Sequence, residues 1–155
     1  MAGRLSDNSP LFTTGGEWGE RSLRTLLVGG PPMLGLQYAL GASRPDETKE
    51  KSEWQPFQDN NGVSGHAFMG AIPFLSAAKM TEDSYLKAAF YTASALPGLS
   101  RITDDDHYPS QVLLGWGIAY LASSAVDNTF ELPENVEVFP ILLSDGIGIG
   151  VEIRR

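Results

Sequence analysis

Two histidines, two arginines and a serine carry the chemistry open to this sequence. His66 sits in Gly62-Val63-Ser64-Gly65-His66, and His107 ends the run Ser100-Arg101-Ile102-Thr103-Asp104-Asp105-Asp106-His107. A third piece, Ser43-Arg44-Pro45, closes an apolar stretch just before a long polar one. Together they offer two guanidiniums, two imidazoles, a hydroxyl and the free N–H groups of a helix N-terminus. That set suits a tetrahedral oxyanion. Guanidinium forks match phosphate bidentately, helix N-termini attract anions, and paired imidazoles divide the roles of nucleophile and general acid.

The elements that must position these groups read as mostly helical. Residues 1–16 are expected to be a flexible lead-in, 17–126 a helical catalytic domain, and 127–155 a C-terminal extension. Within the middle part, Glu17 to Val28 is expected as a helix, broken at Gly29-Gly30-Pro31-Pro32, with a second helix over Met33 to Ala42. Pro45 ends it, because proline pushes its predecessor out of the helical region. Asp46 to Asn61 reads as a long surface loop, a kind usually functional or disordered. Ser64 to Lys79 reads as a helix capped by Asn61 or Ser64, with Pro73 as a kink. Thr81 is expected to cap the next helix, with Glu82 and Asp83 in its first turn and a stop at Pro97-Gly98. Leu99 to Tyr108 then reads as an acidic loop, and Pro109 suits the first turn of a last helix over Ser110 to Ser124. In the tail, Val136 to Leu143 and Ile147 to Ile153 flank Ser144-Asp145-Gly146, a hairpin turn signal. Ile147, Ile149, Val151 and Ile153 alternate at period two. The expected class is mainly α with a short C-terminal β-hairpin.

The motif residues resemble the type 2 phosphatidic acid phosphatase (PAP2) superfamily, which also holds bacterial acid phosphatases and vanadium haloperoxidases. That family carries K-x6-R-P, P-S-G-H and S-R-x5-H-x3-D in order. Here they stand as Arg44-Pro45, Ser64-Gly65-His66 and Ser100-Arg101 to His107, over about residues 33 to 121. The resemblance implies a PAP2-like helical bundle and a phosphatase acting on a phosphate monoester, such as a lipid phosphate or diphosphate. By position, His107 would attack phosphorus to form a phosphohistidine. His66 would protonate the leaving oxygen and then activate water. Arg44, Arg101, Ser64 and the Gly65 N–H would hold the equatorial oxygens, the kind of positioning and electrostatic work phosphoryl transfer asks for. The implied mechanism needs no metal and no cofactor. It also implies a bell-shaped pH profile, with His107 neutral while His66 is protonated.

Three positions depart from the pattern. The family lysine falls on Gln37, the aspartate on Gln111 and the proline of the second motif on Val63. Gln37 lacks a phosphate-pairing charge. Gln111 lacks the carboxylate that orients the nucleophile, yet an amide oxygen can still accept from the imidazole N–H and hold its tautomer. A weaker enzyme is the first expectation. The second is a non-catalytic phosphate- or phospholipid-binding relative. A vanadate-dependent haloperoxidase comes third, since Gln37 removes the lysine that would also hold vanadate.

Other signals are weaker. Asp104-Asp105-Asp106 reads as a solvated loop before a metal site, because consecutive side chains diverge. Gly146-Ile147-Gly148-Ile149-Gly150 reads as strand, lacking the context of a nucleotide loop. Trp54, Phe57 and Trp116 read as core or loop anchors. The sequence has no cysteine, which excludes disulfides, thiolate metal sites and a cysteine nucleophile. A net charge of −8 without a basic patch argues against nucleic acid as a partner. Of three apolar stretches the cleanest, Val112 to Val126, is short of the roughly 20 residues a spanning helix wants. The N-terminus holds no signal-peptide-like apolar run, so an exported form would be mature or a fragment. The resemblance implies a membrane protein with its site facing the periplasm or exterior, and a soluble periplasmic form is the alternative.

Overall fold

A computed structural model describes residues 10–47, 53–129, 136–143 and 146–153 of the chain. Its helices are α1 (Pro10–Leu40), α2 (Gly65–Met80), α3 (Ser84–Thr103) and α4 (Pro109–Thr129). Strands β1 (Val136–Leu143) and β2 (Gly146–Ile153) pair antiparallel, with Val136 opposite Ile153 and Leu143 opposite Gly146. Ser144 and Asp145, expected in the turn, lie outside the described residues. The architecture is a mainly helical bundle.

Helix α2 is the centre of it, touching α1, α3 and α4. From Ser64 to Ala78 the chain carries no Asp, Glu, Lys or Arg, which lets several faces be buried at once. Phe68 and Leu75 are fully buried and join Val63, Ala71, Ile72, Met33 and Ala119 in one core. Each of the two large side chains contributes about 1.5–3 kcal/mol by burial. The many alanines and glycines let the helix backbones approach closely. Among the described residues, no helix is long and apolar enough to cross a membrane.

Two expected breaks are continuous helix, and both have a packing reason. The first is Gly29-Gly30-Pro31-Pro32, which lies inside α1. Gly29 packs so tightly that a Cβ would meet Phe68 and Ala122 at 2.7 and 2.8 Å. The prolines remove hydrogen bonds to the carbonyls of Leu27 and Val28, and those residues are exposed, so water can serve instead. The helix also starts at Pro10, inside the segment expected as lead-in. The second break, at Pro97-Gly98, lies inside α3. Pro97 packs on Gly70, and Gly98 sits under Val112 and Ala67. Ser100 and Arg101 are therefore helical residues near the end of α3, where a loop was expected.

The caps differ too. Ser64 caps α2, accepting from Ala67 N. Thr81 is the C-cap of α2, and Asp83 caps α3 by accepting from Tyr85 N and Leu86 N, each at 2.9 Å. Helix α4 begins at Pro109, as its missing N–H favours, and runs beyond Ser124 to Thr129.

The described part of the long loop doubles back along the end of α1. Gln55 N donates to Gly41 O at 2.6 Å, Phe57 N to Tyr38 O at 2.9 Å, and Ala42 bridges Trp54. Gly41 has φ +37, and a Cβ there would lie 2.0 Å from Gln55 O. Trp54 and Phe57 stand on the surface, Phe57 edge-on to Tyr38 at 5.7 Å. Trp116 is half-buried, stacked on Tyr120 and donating to Ser94 Oγ.

Gly115 fixes how near α4 comes to the start of α2. A Cβ there would sit 2.3 Å from Ser64 O. Gly115→Ala is expected to cost about 1–3 kcal/mol through overpacking, read as a lowered Tm by circular dichroism. A Tm within a degree of wild type would show that α4 can simply shift aside.

Candidate active site

An open cleft of about 750 Å³ lies where the second half of α1, the start of α2 and the end of α3 converge. Its walls include Gln37, Arg44, Asn61, His66, Arg101 and His107. Gly65 also lines it, so five of the expected site residues meet in one place. Leu34 and Met69 line it as well while more than half exposed, giving the polar floor an apolar rim.

His107 is held by residues on both sides. Its backbone N donates to Arg101 O at 3.1 Å, tying it to the end of α3. Its Nδ1 lies 2.9 Å from Gln111 Oε1, one helical turn on at the start of α4. The orientation of that amide is settled by its other contacts. Oε1 also accepts from Tyr108 N at 3.0 Å, while Nε2 donates to Ser43 O at 3.0 Å. Only an acceptor therefore faces Nδ1, so the neutral ring carries its proton there and keeps a lone pair on Nε2. Burial pushes the His107 pKa below the ordinary 6.5. The Gln111 hydrogen bond opposes this, Arg44 and His66 add to it, and Asp106 opposes it.

Arg44 follows α1 and is steered by the returning loop. Its Nε donates to Asn61 Oδ1 at 2.8 Å. Asn61 is buried, and its own Nδ2 donates to Asp59 Oδ1 at 2.9 Å, which turns the amide oxygen toward the arginine. Asn61 was considered in the sequence only as a helix cap. Its place three residues before Ser64-Gly65-His66 was the available signal. Gln37 lines the cleft and donates to Val63 O at 2.9 Å, joining α1 to the bend before α2.

Ser64 needs a correction. It was expected to hold a phosphate oxygen, but it is fully buried and does not line the cleft. Its Oγ caps Ala67 N, its N–H donates to Gln111 O at 3.0 Å, and so it positions Gly65 and His66 from behind. The acidic run is a turn with Asp104 and Asp105 exposed, as expected of a solvated loop, and it also supplies ion pairs. Asp104 and Asp106 pair with Arg101 at 2.9 and 2.6 Å.

The arrangement can do one kind of chemistry well. It brings a nucleophilic nitrogen, a second imidazole and a guanidinium around one open space, with backbone at the start of a helix. Comparison with protein families matches residues 23–130 of the chain to the PAP2 superfamily. No curated protein and no solved structure matches it.

Proposed function

The chain belongs to the PAP2 superfamily, and from that premise we propose that it is a phosphoric monoester hydrolase for a lipid phosphate or diphosphate, working through a phosphohistidine. Membership itself suggests phosphatase-type activity. The observation that carries the finer reading is the Gln111 contact to Nδ1, which leaves Nε2 of a neutral His107 as the nucleophile in a cleft shared with His66 and Arg44.

In this mechanism Nε2 of His107 attacks phosphorus as the bond to the leaving oxygen breaks, and His66 gives that oxygen a proton. Water then attacks the phosphohistidine, His66 takes a proton from it, and inorganic phosphate leaves with His107 restored. Arg44 and the Gly65 N–H supply charge and donors to the equatorial oxygens. Gln111 stabilises the imidazolium through a dipole where a carboxylate would bring a full charge, so turnover is slower than an aspartate would allow.

The apolar rim at Leu34 and Met69 supports a lipid tail beside the headgroup. Leu27, Leu34 and Tyr38 are exposed along α1 at helical spacing, which supports a membrane-surface location; that the site faces the periplasm or exterior rests on the family resemblance alone. A non-catalytic phosphate-binding relative is the second reading. Gln37 at the lysine position and Gln111 at the aspartate position favour it.

Phosphate release from micellar lipid phosphates and a chromogenic monoester separates the two. Release is expected, with the acid limb of kcat/KM below 6.5 because burial keeps His107 neutral to lower pH. Folded protein that binds phosphate and releases none from any substrate would make it a binding relative.

A further inference from the structure

The two arginines of the cleft differ in how far they are already committed. Arg101 Nη1 donates to Asp106 Oδ2 at 2.6 Å, and Nη2 donates to Asp104 Oδ2 at 2.9 Å. Nε and Nη2 also reach Ser100 Oγ at 3.3 and 3.2 Å. A guanidinium has five N–H donors, so these contacts leave a single one, on Nη1. Two carboxylates also face its one positive charge. Arg44, by contrast, gives Nε to the neutral Asn61, and among the described residues its side chain pairs with no carboxylate.

The backbone delivers both carboxylates deliberately. After α3 ends at Thr103, Asp105 takes φ 57, in the left-handed region that a non-glycine residue seldom adopts. The chain then curls back, and Asp106 N and His107 N both donate to Arg101 O, at 3.0 and 3.1 Å. Asp104 and Asp106 thereby converge on one side chain from two sides of the turn.

We propose that Asp104 and Asp106 form an internal anion on Arg101, which makes the cleft hold free inorganic phosphate weakly. The inference rests on the phosphate-site reading above. Free phosphate offers only charge and oxygen acceptors, which two carboxylates tethered next to the guanidinium already supply at high effective concentration. An ester with an apolar group adds contacts at Leu34 and Met69 that the carboxylates cannot imitate. The internal anion weakens the hold on both forms, so an ester is retained by its contacts at Leu34 and Met69 and a product without them leaves, while Arg101 stays in place on its helix.

The test is the affinity of the full chain for inorganic phosphate, measured by calorimetry at fixed ionic strength. Wild type is compared with Asp104→Asn/Asp106→Asn, which keeps shape and acceptor oxygens but removes both charges. The double variant is expected to bind phosphate about ten-fold more tightly or better, equivalent to about 1.4 kcal/mol. Adding Arg101→Ala to it should erase the gain, whereas Arg101→Ala in wild type should cost less than about three-fold. A merely structural role for the aspartates predicts the opposite sign, since a loosened turn would weaken binding. Equal or weaker phosphate binding by the folded double variant overturns the proposal. Failure of every protein to bind phosphate overturns it together with the phosphate-site reading. A ten-fold gain in a protein that hydrolyses nothing would uphold the internal anion and remove only the enzyme.

Discussion

His107→Ala is expected to lower phosphate release by about a thousand-fold or more, while inorganic phosphate still binds within a few-fold of wild type. In the proposed mechanism the nucleophile is lost, and His66, the other imidazole of the cleft, lacks the Gln111 contact that fixes the tautomer of His107. Arg44 and the Gly65 N–H remain in the cleft, so the proposed partners of the anion are kept. A separation of turnover from binding is therefore the signature. Rapid quenching of wild type into alkali, followed by phosphorus NMR, should show phosphate on an imidazole nitrogen, and the variant should show none. Equal turnover by both proteins would mean that another group attacks phosphorus.

Gln111 carries the second large effect, because one amide satisfies three partners. Gln111→Leu removes its contacts with His107 Nδ1, Tyr108 N and Ser43 O. The expected loss is about 2–4 kcal/mol of stability, since buried polar groups lose partners with no water to replace them. Turnover should fall about a hundred-fold or more, as the imidazole is freed to adopt the tautomer that hides its lone pair. Gln111→Glu tests the charge separately. Its carboxylate can keep the contacts to Nδ1 and Tyr108 N but turns a second oxygen toward the Ser43 carbonyl, so Tm should drop. The added negative charge favours the imidazolium and raises the His107 pKa, opposing the burial that lowers it. The acid limb of kcat/KM should therefore move upward by about one unit. An unmoved limb would detach Gln111 from the proton on His107.

Much of the site was legible because its residues are few and chemically distinct. A chain with two histidines, one directly after Ser64-Gly65 and one six residues after Arg101, leaves little choice of titrating groups. Arg44, Gly65, His66, Arg101 and His107 could be named before any geometry, and all five line one cleft. Asn61 escaped notice because an asparagine near a helix start reads first as a cap. Its contact with Arg44 spans 17 residues and depends on the loop returning to α1. Ser64 was given the wrong partner for the converse reason: its cap bond is local, and only the burial supplied by Gly115 and α4 shows that the hydroxyl has no access to the cleft.

The sequence by itself pointed to Arg44, Gly65, His66, Arg101 and His107 of the candidate site, to the mainly helical class, to the capped start of α2 and to the Pro109 start of α4. These follow from side-chain chemistry and from preferences that act within one helical turn. Tertiary structure decided that α1 runs through Gly29-Gly30-Pro31-Pro32 and α3 through Pro97-Gly98. A proline inside a helix costs about 3 kcal/mol, and contacts with Phe68, Ala122, Gly70 and Val112 from other helices outweigh that local preference. The same continuity puts Arg101 on a rigid turn of α3, within reach of Asp104 and Asp106. Packing between distant segments, which no local pattern encodes, brought Arg44, His66 and His107 to one cleft.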